Sequence, residues 1–217
     1  MNSLLPVKNR TKPFWLKERD TQLAQLLSSE EIPLQAEVVI IGSGISGALA
    51  ALHVYRELEK KGKTSSSVVM LEAADLCEGA TARNGGHCKP LTYLGFRNEA
   101  ARHGAEAVND MYTFEAGHLQ KYNDLVEGED LDCDFYITRA CDVFFTKEGA
   151  KSAKEDFDTR KKLFPEAIAK DDIVAIEDVD QLEKFSGVKG AYWGCHYPAG
   201  HLWPYKLATQ GMRIACI

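Results

Sequence analysis

Three groups of residues in this 217-residue sequence have the types and spacing to do chemistry. The first is Gly42-Ser43-Gly44-Ile45-Ser46-Gly47. It follows the apolar run AEVVII and precedes ISGALAALHVYRELEKKG, the strand-then-helix context that gives a G-x-G-x-x-G run its meaning. Gly42 permits a tight turn, Gly44 lets the backbone approach a pyrophosphate, and Gly47 lets the helix pack closely on the strand. The helix start then offers free N–H groups and a partial positive charge to an anion. The second group is Glu72, at the end of SVVMLE, where a carboxylate can accept hydrogen bonds from both hydroxyls of an adenosine ribose and would repel a 2′-phosphate. The distance from the last motif glycine is 72 − 47 = 25 positions, and the polar KTSSS loop accounts for the excess over the usual spacing of about 20.

The third group lies in GATARNGGHCKP, residues 79–90. A nicotinamide-binding fold needs no second glycine loop so soon after the ribose acid. FAD has more to cover, because a ribityl chain and a three-ring isoalloxazine lie beyond its pyrophosphate. Ala80-Thr81-Ala82-Arg83-Asn84-Gly85-Gly86 can wrap that end of the cofactor, with Arg83 neutralising phosphate, Thr81 hydrogen-bonding to it, and Gly85 and Gly86 leaving room for a flat ring. The expected cofactor is therefore FAD. His87 is open to two readings, a proton shuttle or flavin-tuning group on one side and a packed loop residue on the other. The same holds for Cys88, a candidate for covalent flavin attachment, and Lys89 adds a cation beside them. His196 and His201 read as structural, no metal site is expected, and no catalytic residue is assigned.

VVIIGSGISG, MLEA and GATARNGGH together resemble the N-terminal half of FAD-dependent oxidoreductases of the D-amino-acid oxidase and glycine oxidase type. A looser likeness runs through LDCDFYITRACDVFFT to GCHYPAGHLWPYKLA, so the resemblance covers about residues 36 to 213. It implies that Gly42 to Gly47, with Ile45 and Ser46 foremost, contact pyrophosphate, that Glu72 and Ala73 lie at the adenosine, and that Ala80 to His87 line the rest of the FAD. It also implies oxidation of the CH–NH bond of a small amine or amino acid by hydride transfer to flavin. Members of that family continue where this sequence stops at RIACI, so a front portion of such an enzyme is expected. Two alternatives stand beside this reading: a non-catalytic fragment that binds FAD weakly or serves as an interaction module, and an NAD-dependent Rossmann dehydrogenase.

The elements that must position these groups follow from the pattern. AEVVIIG predicts a strand buried on both faces in a parallel sheet. Ala48, Ala51, Leu52, Tyr55 and Leu58 predict an amphipathic helix, with Glu57 and Lys61 paired on its solvent side and Gly62 ending it. SVVMLE completes a βαβ unit. The expected class is α/β, a Rossmann-like FAD-binding domain joined to the start of an α+β substrate domain. The expected parts are an arm over 1–34, the FAD-binding part over 35–98, a partial substrate region over 99–190 and a return over 191–217. In the arm, Phe14, Trp15 and Leu16 form an apolar knot that either docks or frays, and Leu23, Leu26 and Leu27 mark one helical turn. Residues 99–127 read as one long helix, DFYIT and CDVFFT as a hairpin about Arg139-Ala140, and KEGAKSAKEDFDTRKKLF as a helix that stops at Pro165. EDVDQLEKF reads as a short helix, GAYWGCHY as a strand leading into a Gly/Pro turn at PAGHLW, and Pro204 as the first residue of a last helix.

Composition sets the outer limits. With 45% hydrophobic and 27% charged residues the chain is an ordinary globular protein, and at this length it can bury a core unaided. A net charge of −6 without a basic stripe argues against nucleic acid as a partner. Six cysteines without a C-x-x-C pair, and no leader in MNSLLPVKNRTKPFW, point to free thiols in a reducing, cytoplasmic setting. No apolar run reaches the length of a membrane span.

Overall fold

A computed structural model describes residues 10–24, 31–63 and 68–216 of the protein. The chain forms two compact units: Met1–Gly86 with Glu129–Asp134 and Leu202–Ile217, and His87–Gly128 with Phe135–His201. No helix among the described residues is long and apolar enough to cross a membrane.

The first unit opens with a 3-10 turn over Phe14–Leu16 and helix α1 (Thr21–Ala24). Leu23 is buried, and Leu26 and Leu27 lie outside the described residues. Strand β1 (Val38–Ile41) leads through the first glycine loop into helix α2 (Ile45–Lys60) and then to strand β2 (Val68–Leu71). The two strands pair in parallel from Val38 with Val68 to Ile41 with Leu71, which makes the βαβ unit that the sequence predicts. Helix α8 (Pro204–Cys216) packs against α2, and Ala48, Cys77, Tyr205, Ala208 and Met212 form a core to which Met70, Leu76, Trp15 and Leu16 add. Burial of β1 on both faces is not what forms. Val39 is 53% exposed and Ile41 86% exposed, because among the described residues helix covers only one face of the two-stranded sheet. The expected Glu57–Lys61 pair is also corrected: Lys61 already stands at the helix end, and Glu57 pairs with Lys60 at 2.8 Å instead.

The second unit is built on a four-stranded antiparallel sheet. It contains β3 (His87–Cys88), α3 (Phe96–His103), α4 (Ala105–Gly128), β4 (Tyr136–Phe144), α5 (Lys147–Leu163), α6 (Pro165–Lys170), β5 (Val174–Ile176), α7 (Val179–Ser186) and β6 (Trp193–His201). Strand β6 is central. It pairs with β4 along one edge, from Tyr136 with His201 to Phe144 with Trp193, and with β3 and β5 at the two ends of the other edge. Trp193, Cys195, Tyr197 and Ala199 alternate onto the buried face, where Trp193, Cys195 and Tyr197 meet Tyr93, Phe157 and Ile168.

Three expectations change here. Residues 99–127 form two helices rather than one, because Gly104 adopts φ +89 and closes α3 before α4 begins. The hairpin about Arg139-Ala140 is one nine-residue strand, since neither residue is a turn former and both pair with β6. The turn at PAGH is also strand. The second edge of β6 is unpaired from Tyr197 to Ala199 among the described strands, and Pro198, which has no amide donor, is tolerated there. Pro165 ends α5 as expected and at the same time opens α6, and α8 begins at Pro204.

Candidate functional site

The first glycine loop is fixed by its own backbone. Gly42 donates its N–H to the Leu71 carbonyl at 2.7 Å, extending the parallel pair, and turns the chain with φ +95. Ser43 follows, fully buried, and its N–H and hydroxyl both donate to Glu72 Oε2, at 2.9 and 2.6 Å. The Ala74 N–H donates to Glu72 Oε1 at 2.9 Å. The Ser43 hydroxyl accepts from the Cys77 N–H at 3.0 Å, and the Cys77 thiol donates to the Ser43 carbonyl at 2.8 Å. One serine thus locks the loop, the strand-end acid and the following turn together.

Glu72 is held as an anion. Burial pushes its carboxyl up, but the donors from Ser43 and Ala74 outweigh that and hold it below the usual carboxylate range. A carboxylate has about four acceptor positions, so with three donors in place and the residue exposed to solvent it can accept a hydroxyl from a ligand. Beside it, burial and then the Glu72 charge push the Cys77 thiol up to about 12, which makes it an inert packing group.

Helix α2 starts at Ile45, and its first-turn amides have no intrahelical acceptor. The Ile45 N–H donates to the Thr81 hydroxyl at 2.8 Å, so a side chain of the second glycine loop caps the first. Ser46 and Gly47 leave their amides at the positive end of the helix, where they can bind an anion.

The second loop forms a 3-10 turn over Ala80–Ala82, with Thr81 and Ala82 buried and Ala80 and Gly85 exposed. Asn84 closes it: its amide Nδ2 donates to the Ala80 and Thr81 carbonyls, at 3.1 and 2.9 Å, and its Oδ1 accepts from the Gly86 N–H at 2.7 Å. Arg83 directs its guanidinium to Thr11, donating to the hydroxyl at 2.8 Å and the carbonyl at 2.9 Å, and donates Nε to the Glu78 carbonyl at 3.2 Å. Ala73 is exposed next to Glu72.

The first unit therefore brings together Gly42 to Gly47, Glu72, Ala73 and Ala80 to Gly86. His87 belongs to the second unit, where it is exposed in β3 opposite His201. In the same unit, burial pushes the Cys88 thiol up to about 11, leaving little thiolate near neutral pH. Lys89 is taken by Asp142 at 2.7 Å, and the same carboxylate accepts the Tyr93 and Tyr197 hydroxyls. His196 accepts from Arg139 Nε at 2.8 Å and stacks on Phe185. Sequence reasoning missed Cys77, which Ser43 binds twice, and Thr11, which Arg83 binds twice. Neither carries a local signal, since both pairings span 34 or more positions.

A parallel βαβ unit with a glycine loop, a helix N-terminus and a strand-end carboxylate defines a nucleotide-binding protein of the α/β class. The chain belongs to the DAO family, FAD dependent oxidoreductase, whose pattern matches residues 37–216. That membership selects FAD over a nicotinamide as the family's cofactor. No curated protein sequence matches the chain. Among solved structures, L-amino acid deaminase from Proteus vulgaris is similar with a TM-score of 0.62 at 16% identity, over 87% of this chain and 39% of that one. Glycine oxidase from Bacillus cereus is similar with a TM-score of 0.54 at 16% identity, over 84% of this chain and 44% of that one. L-proline dehydrogenase from P. horikoshii follows at 0.53 and 19% identity, over 85% and 42%. The chain thus spans about two fifths of the length of these structures.

Proposed function

We propose that this protein is an FAD-dependent oxidoreductase that oxidises the CH–NH bond of a small amine or amino acid. The observation that carries the reading is the linkage of two glycine loops through Ile45 and Thr81 in a chain of the FAD dependent oxidoreductase family. Bound FAD supplies the hydride acceptor. The protein's own residues bind and orient it. The amides of Ser46 and Gly47 hold the pyrophosphate in a Rossmann-like βαβ unit, with Ser43, Gly44 and Ile45 in the turn before them. Glu72, with Ala73 beside it, accepts an adenosine ribose hydroxyl at its remaining acceptor position, and Ala80, Thr81, Arg83, Asn84, Gly85 and Gly86 line the remainder. Arg83 lines the loop with its guanidinium held on Thr11 rather than on a phosphate. The likeness to amino-acid deaminase, glycine oxidase and proline dehydrogenase structures supports an amino-acid substrate. The free thiols of Cys77, Cys88, Cys141 and Cys195 support a reducing, cytoplasmic setting.

A second reading, an FAD-binding or interaction fragment without catalysis, is favoured by one observation. The β1 face bearing Val39 and Ile41 is exposed in a chain that spans only 39% to 44% of the compared structures. A visible absorption spectrum of the purified chain with added FAD tests both. A bound-flavin spectrum followed by peroxide release from an amino-acid panel supports the oxidoreductase. A bound-flavin spectrum without turnover favours the FAD-binding fragment, and no bound flavin in excess FAD overturns the oxidoreductase and leaves the interaction fragment. Within either, Glu72→Gln is expected to weaken FAD binding by about tenfold or more, the loss for hydrogen bonds to a charged acceptor, measured by flavin fluorescence titration.

A further inference from the structure

The arm ahead of β1 is docked on the second glycine loop by polar contacts to one backbone carbonyl and one side chain of the loop. Trp15 Nε1 donates to the Asn84 carbonyl at 2.6 Å. Its indole also lies against Gly86: a β-carbon there would stand 2.7 Å from Trp15 Cζ2 and 2.6 Å from the Leu202 carbonyl oxygen. Thr11 takes two donors of Arg83. On its other side Trp15 is held by the first unit's core. Trp203 Nε1 donates to the Trp15 carbonyl at 2.8 Å, and the Phe14, Trp15 and Trp203 rings meet edge-on or tilted with centroids 5.1 to 5.4 Å apart. Arg19 pairs with Asp75 at 2.6 Å, and Arg213 with Asp20, so the arm is tied down beyond the indole as well.

These contacts continue to the phosphate turn without a gap. Trp15 fixes the Asn84 carbonyl, Asn84 holds the Ala80 and Thr81 carbonyls, and the Thr81 hydroxyl caps the Ile45 N–H at the start of α2. Neither Trp15 nor Thr11 belongs to the two loops. We propose that Trp15, seconded by Thr11, is a positioning residue that holds the second glycine loop in the shape that receives the cofactor and, through Thr81, sets the capping of α2. Docking of the arm and binding of FAD are therefore linked, and each strengthens the other. The linkage to FAD rests on the function proposed above, whereas the holding of the loop does not.

The test uses the full chain and three variants, Trp15→Phe, Trp15→Ala and Thr11→Ala. Trp15→Phe keeps an aromatic ring in the cluster while removing the Nε1 donor and the part of the indole that lies against Gly86, so it remains informative if Trp15→Ala folds poorly. Amide hydrogen exchange without FAD is expected to rise at residues 80–86 and at Ile45 in Trp15→Phe, and to stay at the wild-type rate in α5 of the other unit. FAD affinity, followed by flavin fluorescence, is expected to fall about fivefold in Trp15→Phe and by more in Trp15→Ala, with Thr11→Ala between wild type and Trp15→Phe. In the reciprocal direction, FAD is expected to slow cleavage of the arm by a protease in wild type and to lose that effect in Trp15→Ala. Unchanged exchange at 80–86 and Ile45, or wild-type FAD affinity in both Trp15 variants, overturns the proposal. If wild type itself takes no FAD, the proposed function fails, and the exchange rates alone decide whether the arm holds the loop.

Discussion

Gly47→Ala is expected to destabilise the protein by about 3 kcal/mol or more and to abolish FAD uptake, although it adds a single methyl group. A β-carbon on Gly47 would overlap the carbonyl oxygen of Gly42 and press on the carbonyl carbon at 3.1 Å and on Ile40 Cγ2 at 3.4 Å. The obstacle is backbone and has no rotamer through which to yield. Gly42 cannot withdraw, because its amide is bound to the Leu71 carbonyl and its φ of +95 already sets the turn. The helix must therefore lift off β1, taking with it the packing of Ala48 and Leu52 and the first-turn amides. Two further substitutions calibrate the result. Gly44→Ala meets only the Thr81 hydroxyl, at 3.0 Å, and costs about 1 kcal/mol as that hydroxyl turns from the Ile45 amide. Gly117→Ala, inside α4 with nothing within 4 Å of the new carbon, stabilises by about 0.5–1 kcal/mol through helix propensity. Urea denaturation of the three variants should give the order Gly47→Ala least stable, then Gly44→Ala, then wild type, then Gly117→Ala. A Gly47→Ala protein as stable as Gly44→Ala would show that the loop deforms freely.

The same glycines explain why this part of the protein was legible in the sequence. A strand-to-helix turn that admits no side chain leaves a mark in three residues, and the mark survives without any knowledge of what surrounds it. Pro204 at the start of α8 and the period of Ala48, Ala51 and Leu52 are legible for the same reason: each is a local rule read within one turn. What stayed hidden depends on distant partners. β4 looks like two short strands until β6 supplies a partner to all nine residues, and β5 is three residues long, below any periodic signal. The β-branched run of β1 implies burial on both faces, yet only a neighbouring layer can provide the second face. Within the site, the sequence indicated which residues sit near one another but not what each one holds. Arg83 suits a phosphate by its charge, and it is bound to Thr11, 72 positions away, while Trp15 reaches Asn84 across 69.

Removing Arg160 should cost as much as the glycine substitution, by a different cause. Arg160→Met is expected to destabilise by about 3–5 kcal/mol, the loss seen when one partner of a buried ion pair is deleted. Arg160 is 0% exposed. From α5 it donates Nε to Asn109 Oδ1 at 3.1 Å, Nη1 to the Thr92 carbonyl, and Nη2 towards Thr113 Oγ1 and Asp171 Oδ2, each at 3.4 Å, and its guanidinium lies over the Tyr112 ring. Methionine fills much of the volume, so the loss measures the polar partners left behind rather than a cavity. Asp171 is the most costly of these. Burial already pushes its carboxyl up, and the Arg160 charge pulls it partly back; without Arg160 it rises further. A carboxyl whose folded-state pKa lies above its unfolded value favours folding when protonated, and that contribution disappears as pH rises through the folded-state value. The deficit of Arg160→Met against wild type should therefore be smallest near pH 4 and grow towards pH 7. Adding Asp171→Asn to Arg160→Met should recover part of the loss at pH 7 and little at pH 4, because the amide removes the stranded charge only where it exists. Denaturation curves for the single and double variants at the two pH values decide the matter. A deficit independent of pH would assign the cost to the Thr92 carbonyl and Asn109 rather than to Asp171.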